Sequence, residues 1–181
     1  MDIYKQKYTG LQQEILGLLF ANIGKELNKR EISLKLEVSP TAVSNSLKTL
    51  EKEELINVSL NKRSKTFEIS LNINNQKVFY LKKVENLRQI YESGLKEFLE
   101  EKFPGKTIVL FGSFSRGEDY PDSDIDIAIL EQDEKEINLK KFEEILGKKI
   151  NIQFYLKIEG IHKNLRENLF NGIVLTGGFR L

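Results

Sequence analysis

The chain has no cysteine and only one histidine among its 181 residues. Without cysteine there is no disulfide framework, no cysteine zinc site and no thiol nucleophile. A single histidine argues against a Ser-His-Asp triad and against a multi-histidine metal site. Any chemistry must therefore rest on carboxylates, hydroxyls, amides, lysines and arginines. Of these groups, carboxylates prefer hard cations such as Mg²⁺.

Long apolar runs are also missing, and the net charge is only +1. No run approaches the roughly 18 apolar residues of a membrane span, and the first ten residues lack the apolar core of a signal peptide. Hydrophobic residues make up 40% of the chain, and 28 basic side chains face 27 acidic ones. This composition is typical of a globular protein of one or two domains. We therefore expect a cytoplasmic protein with no membrane partner.

The first segment, residues 1–73, has the element order of a winged helix-turn-helix. A first helix is indicated by apolar residues at helical spacing, Leu11, Ile15, Leu18 and Leu19. A second short helix is predicted over Arg30–Leu36. A third begins at Pro40, since Ser39 can cap it and proline fits the first helical position. The alternating stretches LINVSL and TFEISL then predict two half-buried strands.

Two groups of polar residues in this segment are candidates for contact with DNA. The third helix is predicted to turn four of them outward: Thr41, Ser44, Asn45 and Lys48. The hairpin tip between the strands adds three basic side chains: Lys62, Arg63 and Lys65. The segment resembles the MarR-like and related winged-helix DNA-binding domains, which implies duplex DNA as a partner. The segment is only mildly basic, so its charge alone does not indicate this function.

The second segment, residues 74–103, is predicted to form one long amphipathic helix. Its apolar residues recur every three or four positions: Val78, Leu81, Val84, Leu87, Tyr91, Leu95 and Phe98. One interpretation is a connecting helix packed on one or both domains. The other is a dimerisation helix, which would make the protein a homodimer. An apolar stripe alone does not identify its partner.

The third segment, residues 104–181, alternates strands with helices, which is typical of an α/β unit around a small sheet. The predicted strands are KTIVLF, DIDIAIL and KINIQFYL. Helices are predicted over 139–146 and 158–170, and the final IVLTGGF is either a last strand or a tail.

The stretch LFGSFSRGEDYPDSDIDIAIL, residues 110–130, carries the residues with the most specific chemistry. Gly112 allows a tight turn after a strand. Ser113 then opens a helix, where free N–H groups attract anions such as the β- and γ-phosphates of a nucleotide. Asp124 and Asp126 lie two apart on a strand, so both leave the same face. Such a pair repels itself unless a cation lies between the carboxylates, and Mg²⁺ is the natural one.

The combination Gly-Ser, Arg-Gly and Ser-Asp-x-Asp resembles the signature of the nucleotidyltransferase superfamily of the DNA polymerase β type. The small size is similar to the minimal nucleotidyltransferases of archaea and bacteria. The resemblance implies that Gly112, Ser113 and Arg116 bind the nucleotide. It also implies that Asp124 and Asp126 are catalytic ligands of Mg²⁺, or Mn²⁺, as the cofactor.

The two resemblances together imply an α+β fold class. The expected order is a winged helix-turn-helix over residues 1–73, a long connecting helix over 74–103, and a small mixed-sheet nucleotidyltransferase fold over 104–181.

One position departs from the family's pattern. The family has a third carboxylate on the next strand, and in this chain the matching position is Asn151. An asparagine oxygen can coordinate a metal, but it has no charge and cannot act as a base. The missing charge is expected to impair turnover, but it need not abolish binding of a Mg²⁺-nucleotide, since Asp124, Asp126 and the phosphates remain as ligands. Glu118, Asp119 and Asp122 are candidates to take over the missing role.

Each candidate also has a plainer interpretation. The aspartate pair can be surface carboxylates, and the Gly-Ser pair an ordinary turn and helix cap. Arg116 can be a surface ion-pair residue, Asn151 a polar strand residue, and the basic hairpin tip merely solvated.

Three functions remain open from the sequence. The first is transfer of a nucleoside monophosphate from a nucleoside triphosphate, with ATP as the expected donor, to an acceptor hydroxyl. The resemblance alone makes a protein acceptor plausible. The second is a transcription regulator whose C-terminal domain binds Mg²⁺-nucleotide with little or no turnover. The third is a scaffold in which both domains serve protein contacts.

Overall fold

The computed structural model describes residues 6–62, 65–157 and 160–179. The chain divides into two compact units, Met1–Val78 and Phe79–Leu181. The division falls within the first turn of a helix that spans Gln76–Glu92. The boundaries at residues 73 and 103 expected from the sequence stay predictions.

The first unit contains three helices and a three-stranded antiparallel sheet. In chain order its elements are α1 (Gly10–Ala21), β1 (Leu27–Asn28), α2 (Lys29–Lys35), α3 (Pro40–Lys52), β2 (Ile56–Asn61) and β3 (Thr66–Leu71). Strand β3 lies between β1 and β2. The two-residue strand β1 was not predicted, since it is too short to show a periodic pattern.

Polar side chains cap the helices of this unit. Thr9 and Gln12 form a capping box at α1, and Asn28 and Glu31 form another at α2. Ser39 accepts a hydrogen bond from the backbone N–H of Ala42 at the start of α3. Apolar side chains from all three helices and the sheet then close one core, including Ile15, Ile32, Val43, Leu50 and Ile69. The winged helix-turn-helix prediction is confirmed.

The helix predicted as one element over 74–103 is two helices, and the prediction is wrong in this respect. Helix α4 spans Gln76–Glu92 and α5 spans Leu95–Lys102. Gly94, between them, has a φ of 75°, a conformation that glycine adopts without steric cost. The apolar pattern continues across this break because Leu95 and Leu99 are both fully buried in the same core.

The second unit adds a four-stranded mixed sheet to these helices. Its further elements are β4 (Thr107–Phe111), α6 (Gly112–Arg116), β5 (Ile125–Leu130), α7 (Lys140–Leu146), β6 (Ile150–Tyr155), α8 (Lys163–Phe170) and β7 (Ile173–Thr176). The strand order is β6-β5-β4-β7, with β5 and β6 parallel and the other pairs antiparallel. The predicted α+β fold class with a C-terminal mixed sheet is confirmed.

Two sequence predictions concern the last strand and the last helix of the chain. The segment IVLTGGF contributes a strand, β7, rather than a tail. The helix expected over 158–170 begins only at Lys163, and Ile158 lies outside the described residues. Across the parts of the chain that the structure covers, no helix is both long and apolar enough to cross a membrane.

The two faces of the sheet bury different clusters. Ile125, Ile127 and Ile129 of β5 belong to a cluster with residues of α4, α5 and α7. The opposite face carries Ala128 and Leu130, which cluster with residues of β4 and α8. Strand residues two apart share a face, so Asp126 lies on this second face, at the start of β5.

We expect Ile127→Ala to reduce the free energy of unfolding of the second unit by about 2–5 kcal/mol, because the side chain is fully buried and its loss leaves a cavity in the central strand. Ile145→Ala is the matched control. Ile145 is 55% exposed, and exposed substitutions usually change stability by less than about 0.5 kcal/mol. Urea denaturation measures both. Equal losses would contradict the assignment of the core.

Candidate active site

The turn from β4 into α6 brings Gly112 against Asp126. The residue before Gly112, Phe111, is paired with Asp126 across the β4–β5 ladder. Gly112 has a φ of 75°, and a Cβ atom there would collide with Asp126 Oδ2 and lie 3.2 Å from its Cγ. The sequence therefore needs glycine for two reasons, the backbone conformation and the close approach. The missing side chain lets the Asp126 carboxylate pack directly against the backbone of the turn.

The neighbouring residues of α6 have different surroundings. Ser113 is half-buried, and within the described residues its hydroxyl has no hydrogen-bond partner. The hydroxyl of Ser115 donates to the Gly112 carbonyl oxygen at 2.8 Å. Arg116 is exposed, and its Nε donates to Glu118 Oε2 at 2.7 Å. Arg116 therefore makes a surface ion pair in this structure, which was the alternative to nucleotide binding considered for this residue.

Asp126 and Asn151 lie side by side. The two are paired in the parallel β5–β6 ladder, and Asn151 Nδ2 donates to Asp126 Oδ1 at 3.2 Å. Burial raises the pKa of Asp126, the hydrogen bond from Asn151 offsets part of this effect, and the charge of Asp124 adds to it. Asp124 itself is exposed, directly before β5. A cation beside these carboxylates would relieve both the burial cost and the repulsion.

The donor set fits a hard divalent cation. It consists of the carboxylates of Asp124 and Asp126 and the amide of Asn151, which lies beside Asp126. Oxygen ligands of this kind suit Mg²⁺, which usually keeps several waters and takes one or two carboxylates plus phosphates. No group of three or more histidine or carboxylate side chains that could hold a metal is found in the described part of the chain.

The three acidic residues considered as replacements for a third carboxylate therefore do not complete the site. Glu118 is paired with Arg116. Asp119 is buried and paired with Lys82. Asp122 is exposed in the loop before β5. Asn151 remains the residue beside Asp126 on the next strand.

Two further side chains extend this face along β6 and were missed by the sequence analysis. Gln153 and Tyr155 alternate with Asn151, so they share its face. The Tyr155 hydroxyl donates to Gln153 Oε1, which is two residues closer to Asp126 along the strand. Burial, and then the charge of Asp126, raises the pKa of the Tyr155 hydroxyl. The alternation of side chains along NIQFY could have indicated these two residues, because every second residue of the strand lies on the face of Asn151.

The candidate DNA-contact residues of the first unit are accessible to solvent. On α3, Thr41, Asn45 and Lys48 are exposed and Ser44 is half-buried. At the hairpin tip, Lys62 and Lys65 are exposed, and Arg63 lies outside the described residues. Their contact with a major groove and with phosphates stays a prediction.

Comparison with known families identifies both parts of the chain. Residues 92–176 match the nucleotidyltransferase domain, and residues 12–58 match the bacterial regulatory protein arsR family. The chain thus combines an N-terminal helix-turn-helix of the regulator type with a C-terminal nucleotidyltransferase domain. The resemblance stated from the sequence is confirmed. No curated protein matches the chain.

Several solved structures are similar in part. A mutant of MepR from a Staphylococcus aureus clinical isolate is 27% identical, with 40% of this chain and 53% of that chain covered and a TM-score of 0.37. A mutant of Lactococcus lactis ZitR is 29% identical, with 57% and 68% covered and a TM-score of 0.43. The adhesin competence repressor AdcR of Streptococcus pyogenes is 20% identical, with 55% and 70% covered and a TM-score of 0.43. The chain thus spans about half of the first of these proteins.

We expect Gly112→Ala to weaken Mg²⁺-dependent ATP binding by at least about tenfold, or roughly 1.4 kcal/mol, because the added methyl group would collide with the Asp126 carboxylate and displace it. Gly147→Ala is the matched control. Gly147 has a φ of 64°, but a Cβ atom there meets nothing within 4 Å, so this variant shares only the backbone strain. Isothermal titration calorimetry measures both. Equal affinities in the two variants would contradict the role given to Gly112.

Proposed function

We propose that the protein transfers a nucleoside monophosphate from a nucleoside triphosphate, with ATP as the expected donor, to an acceptor hydroxyl and releases pyrophosphate. The DNA-binding domain would bring this activity, or its control, to duplex DNA. The observation that carries the proposal is the register of the sheet. It aligns Phe111, Asp126 and Asn151 across three strands and so brings the Gly112 turn directly against the carboxylate that we propose as a metal ligand.

Each residue of the site has one role in this proposal. Asp124 and Asp126 hold the divalent cation, which when bound neutralises charge on the α-phosphate and the leaving pyrophosphate. Ser113 donates its unpaired hydroxyl to the tail phosphates. Gly112 lets the turn that binds the phosphates pack directly against the Asp126 carboxylate. Arg116 would leave its ion pair with Glu118 and bind a phosphate instead, since its exposed guanidinium can reorient.

The acceptor hydroxyl must lose a proton, and few side chains of the site could accept it. In the described residues, Asn151 occupies the place beside Asp126 on β6, and an amide cannot accept the proton. Asp126 is the nearest carboxylate, but it also serves as a metal ligand. We therefore expect the chemical step to be slow even where nucleotide binding is firm.

The hydrogen bond between Asn151 and Asp126 favours a second candidate function. In this alternative the domain binds Mg²⁺-nucleotide with little or no turnover, and the protein is a transcription regulator. Nucleotide would act by binding one arrangement of the protein better than another. The amide donor in place of a third carboxylate is the specific observation in its support.

Two further partners are proposed, an acceptor molecule and a second copy of the chain. The acceptor can be a protein side chain, a small molecule or a nucleic acid end. A homodimer is proposed from helix α4, where Tyr80, Val84 and Tyr91 lie at helical spacing and are each more than 40% exposed. Large apolar side chains on one exposed helix face are typical of a contact surface.

Labelled nucleotide tests the proposed transfer directly. The protein is incubated with α-labelled nucleoside triphosphates and Mg²⁺ or Mn²⁺. Label is then sought on the protein, on candidate partner proteins and on nucleic acid ends. Transfer supports the enzyme. Binding of Mg²⁺-nucleotide without any transfer supports the regulator, and absence of binding overturns both.

We expect Asn151→Asp to raise nucleotidyl transfer by at least about tenfold, because a general base or metal ligand is commonly worth that much in rate. The gain should be clearest at low Mg²⁺, since the added charge strengthens the hold on the metal. Asn164→Asp, at an exposed position of α8, is the control for added charge. Unchanged or lower transfer by Asn151→Asp, with fold and ATP binding intact, would contradict the placement of Asn151 in the site.

We expect Lys62→Ala with Lys65→Ala to make the salt dependence of duplex DNA binding shallower by up to about two units of slope, because each lost phosphate contact removes about 0.9. Lys25→Ala, an exposed lysine in neither α3 nor the hairpin, is the control and should leave the slope unchanged. Fluorescence anisotropy at several salt concentrations measures the slope. If wild-type protein binds no duplex in a genomic selection, the DNA-binding proposal is wrong.

A further inference from the structure

A cluster of buried charged side chains lies in the second unit, and the proposed reaction does not use it. Lys82 of α4 and Asp119 of the loop between α6 and β5 form an ion pair in which the side chains are only 2% and 3% exposed. Asn86, one turn further along α4, is also buried. Charged groups are rarely removed from water this completely unless they are paired.

Helix α4 holds the loop through several hydrogen bonds. Lys82 Nζ donates to the backbone oxygen of Asp119 at 2.9 Å as well as to its carboxylate. Asn86 Nδ2 donates to Asp119 Oδ1 at 2.7 Å and to the backbone oxygen of Phe114 at 2.9 Å. The same helix turn therefore contacts both the loop and helix α6, which begins with Gly112 and Ser113.

A second lysine extends the cluster to strand β6. Lys148 Nζ lies 3.2 Å from Asp119 Oδ2 and donates to the backbone oxygen of Tyr120 at 2.6 Å. It also donates to the backbone oxygen of Ser123 at 3.3 Å, the residue before Asp124. Lys148 precedes β6, the strand of Asn151, by two positions. Asp119 thus joins α4, the loop and the start of β6.

The loop backbone itself lies against α4. Gly117 has a φ of 75°, and a Cβ atom there would lie 2.6 Å from the backbone nitrogen of Lys83 and collide with the backbone oxygen of Phe79. Only glycine permits this approach. The distance between the loop and the helix is therefore fixed by the backbone as well as by the ion pair.

Stability alone does not explain a cluster of this composition. A buried ion pair loses so much hydration that well-packed apolar residues of similar volume often give equal or greater stability. Burial also lowers the pKa of Lys82, although the carboxylate of Asp119 opposes this shift. Directed hydrogen bonds fix the backbone in a single position, which apolar contacts do not.

We propose that Asp119, Lys82, Asn86 and Lys148 form a positioning clamp for the nucleotide site. The clamped loop joins α6, which carries Ser113, to β5, which begins after Asp124, so its position sets the distance between the phosphate-binding and metal-binding residues. The inference rests on the proposed nucleotide binding. The four residues touch neither nucleotide nor metal, and they act through the backbone that they hold.

Loss of the clamp should weaken nucleotide binding without unfolding the sheet. Ser113 and Asp124 lie at opposite ends of one loop, so greater mobility of the loop changes the distance between them directly. A shift of about 1 Å in a positioned group can cost about a hundredfold in rate. We expect a smaller but measurable loss in equilibrium binding.

A pair of variants separates positioning from stability. Asp119→Asn alone leaves Lys82 and Lys148 without a buried countercharge, so its thermal midpoint should fall. Adding Lys82→Met removes one of the two uncompensated charges, and the midpoint should recover toward wild type. We expect the double variant still to bind Mg²⁺-ATP at least tenfold more weakly by calorimetry, and to alter the Mn²⁺ electron paramagnetic resonance spectrum of bound Mn²⁺-ATP.

Hydrogen exchange tests the clamp without any ligand. Backbone amides of residues 117–125 should exchange at least tenfold faster in the double variant, while those of α8 should not change. Lys96→Met is the control. It removes an ion pair with Glu100 on α5 and should change neither exchange in the loop nor binding.

The outcomes distinguish the clamp from the proposed function. If loop exchange is unaltered in the double variant, or if stability and affinity recover together, the cluster is only a structural ion pair and the clamp is overturned. If wild-type protein binds no Mg²⁺-nucleotide, the proposed function fails, and exchange alone decides whether the cluster fixes the loop.

Discussion

The close approach of Gly112 to Asp126 is the constraint on which the rest of the candidate site depends. Strand β4 must end beside the start of β5 for these residues to meet, and the antiparallel pairing of the two strands provides this. Because glycine has no side chain there, the carboxylate packs directly against the backbone of the turn. The conformation of the turn, the strand register and the position of the Asp126 carboxylate are therefore linked through one backbone contact.

The electrostatics of the second unit follow from what surrounds its carboxylates. Asp126 is partly buried and lies near Asp124, and both effects raise its pKa. Asp119 is more deeply buried, yet it is surrounded by two lysines and an amide. Two aspartates of the same short segment thus have different surroundings: Asp119 is paired with lysines, whereas Asp126 accepts a hydrogen bond from Asn151.

The elements of the fold could be predicted where the signal is local. Ser39 before Pro40 marked a helix start, and the spacing of Gly112, Asp124 and Asp126 indicated a strand, a turn and a second strand. The place of Asn151 beside Asp126 was implied by the resemblance to the nucleotidyltransferase superfamily, and the strand register agrees with it. The partner of Asp119 could not be predicted, because Lys82 is 37 residues away and reads as one more polar position on an amphipathic helix. The break at Gly94 was missed because the apolar pattern continues across it.

The identity of residue 151 has a genetic consequence. Asparagine and aspartate codons differ only in their first base, so a single transition converts the amide beside Asp126 into a third carboxylate or reverses that change. Asn151 is exposed on the edge strand of the sheet, so neither exchange disturbs the packed core. Under the two proposed functions, one mutational step would therefore separate a nucleotide-binding regulator from a nucleotidyltransferase, with the fold and the helix-turn-helix domain unchanged.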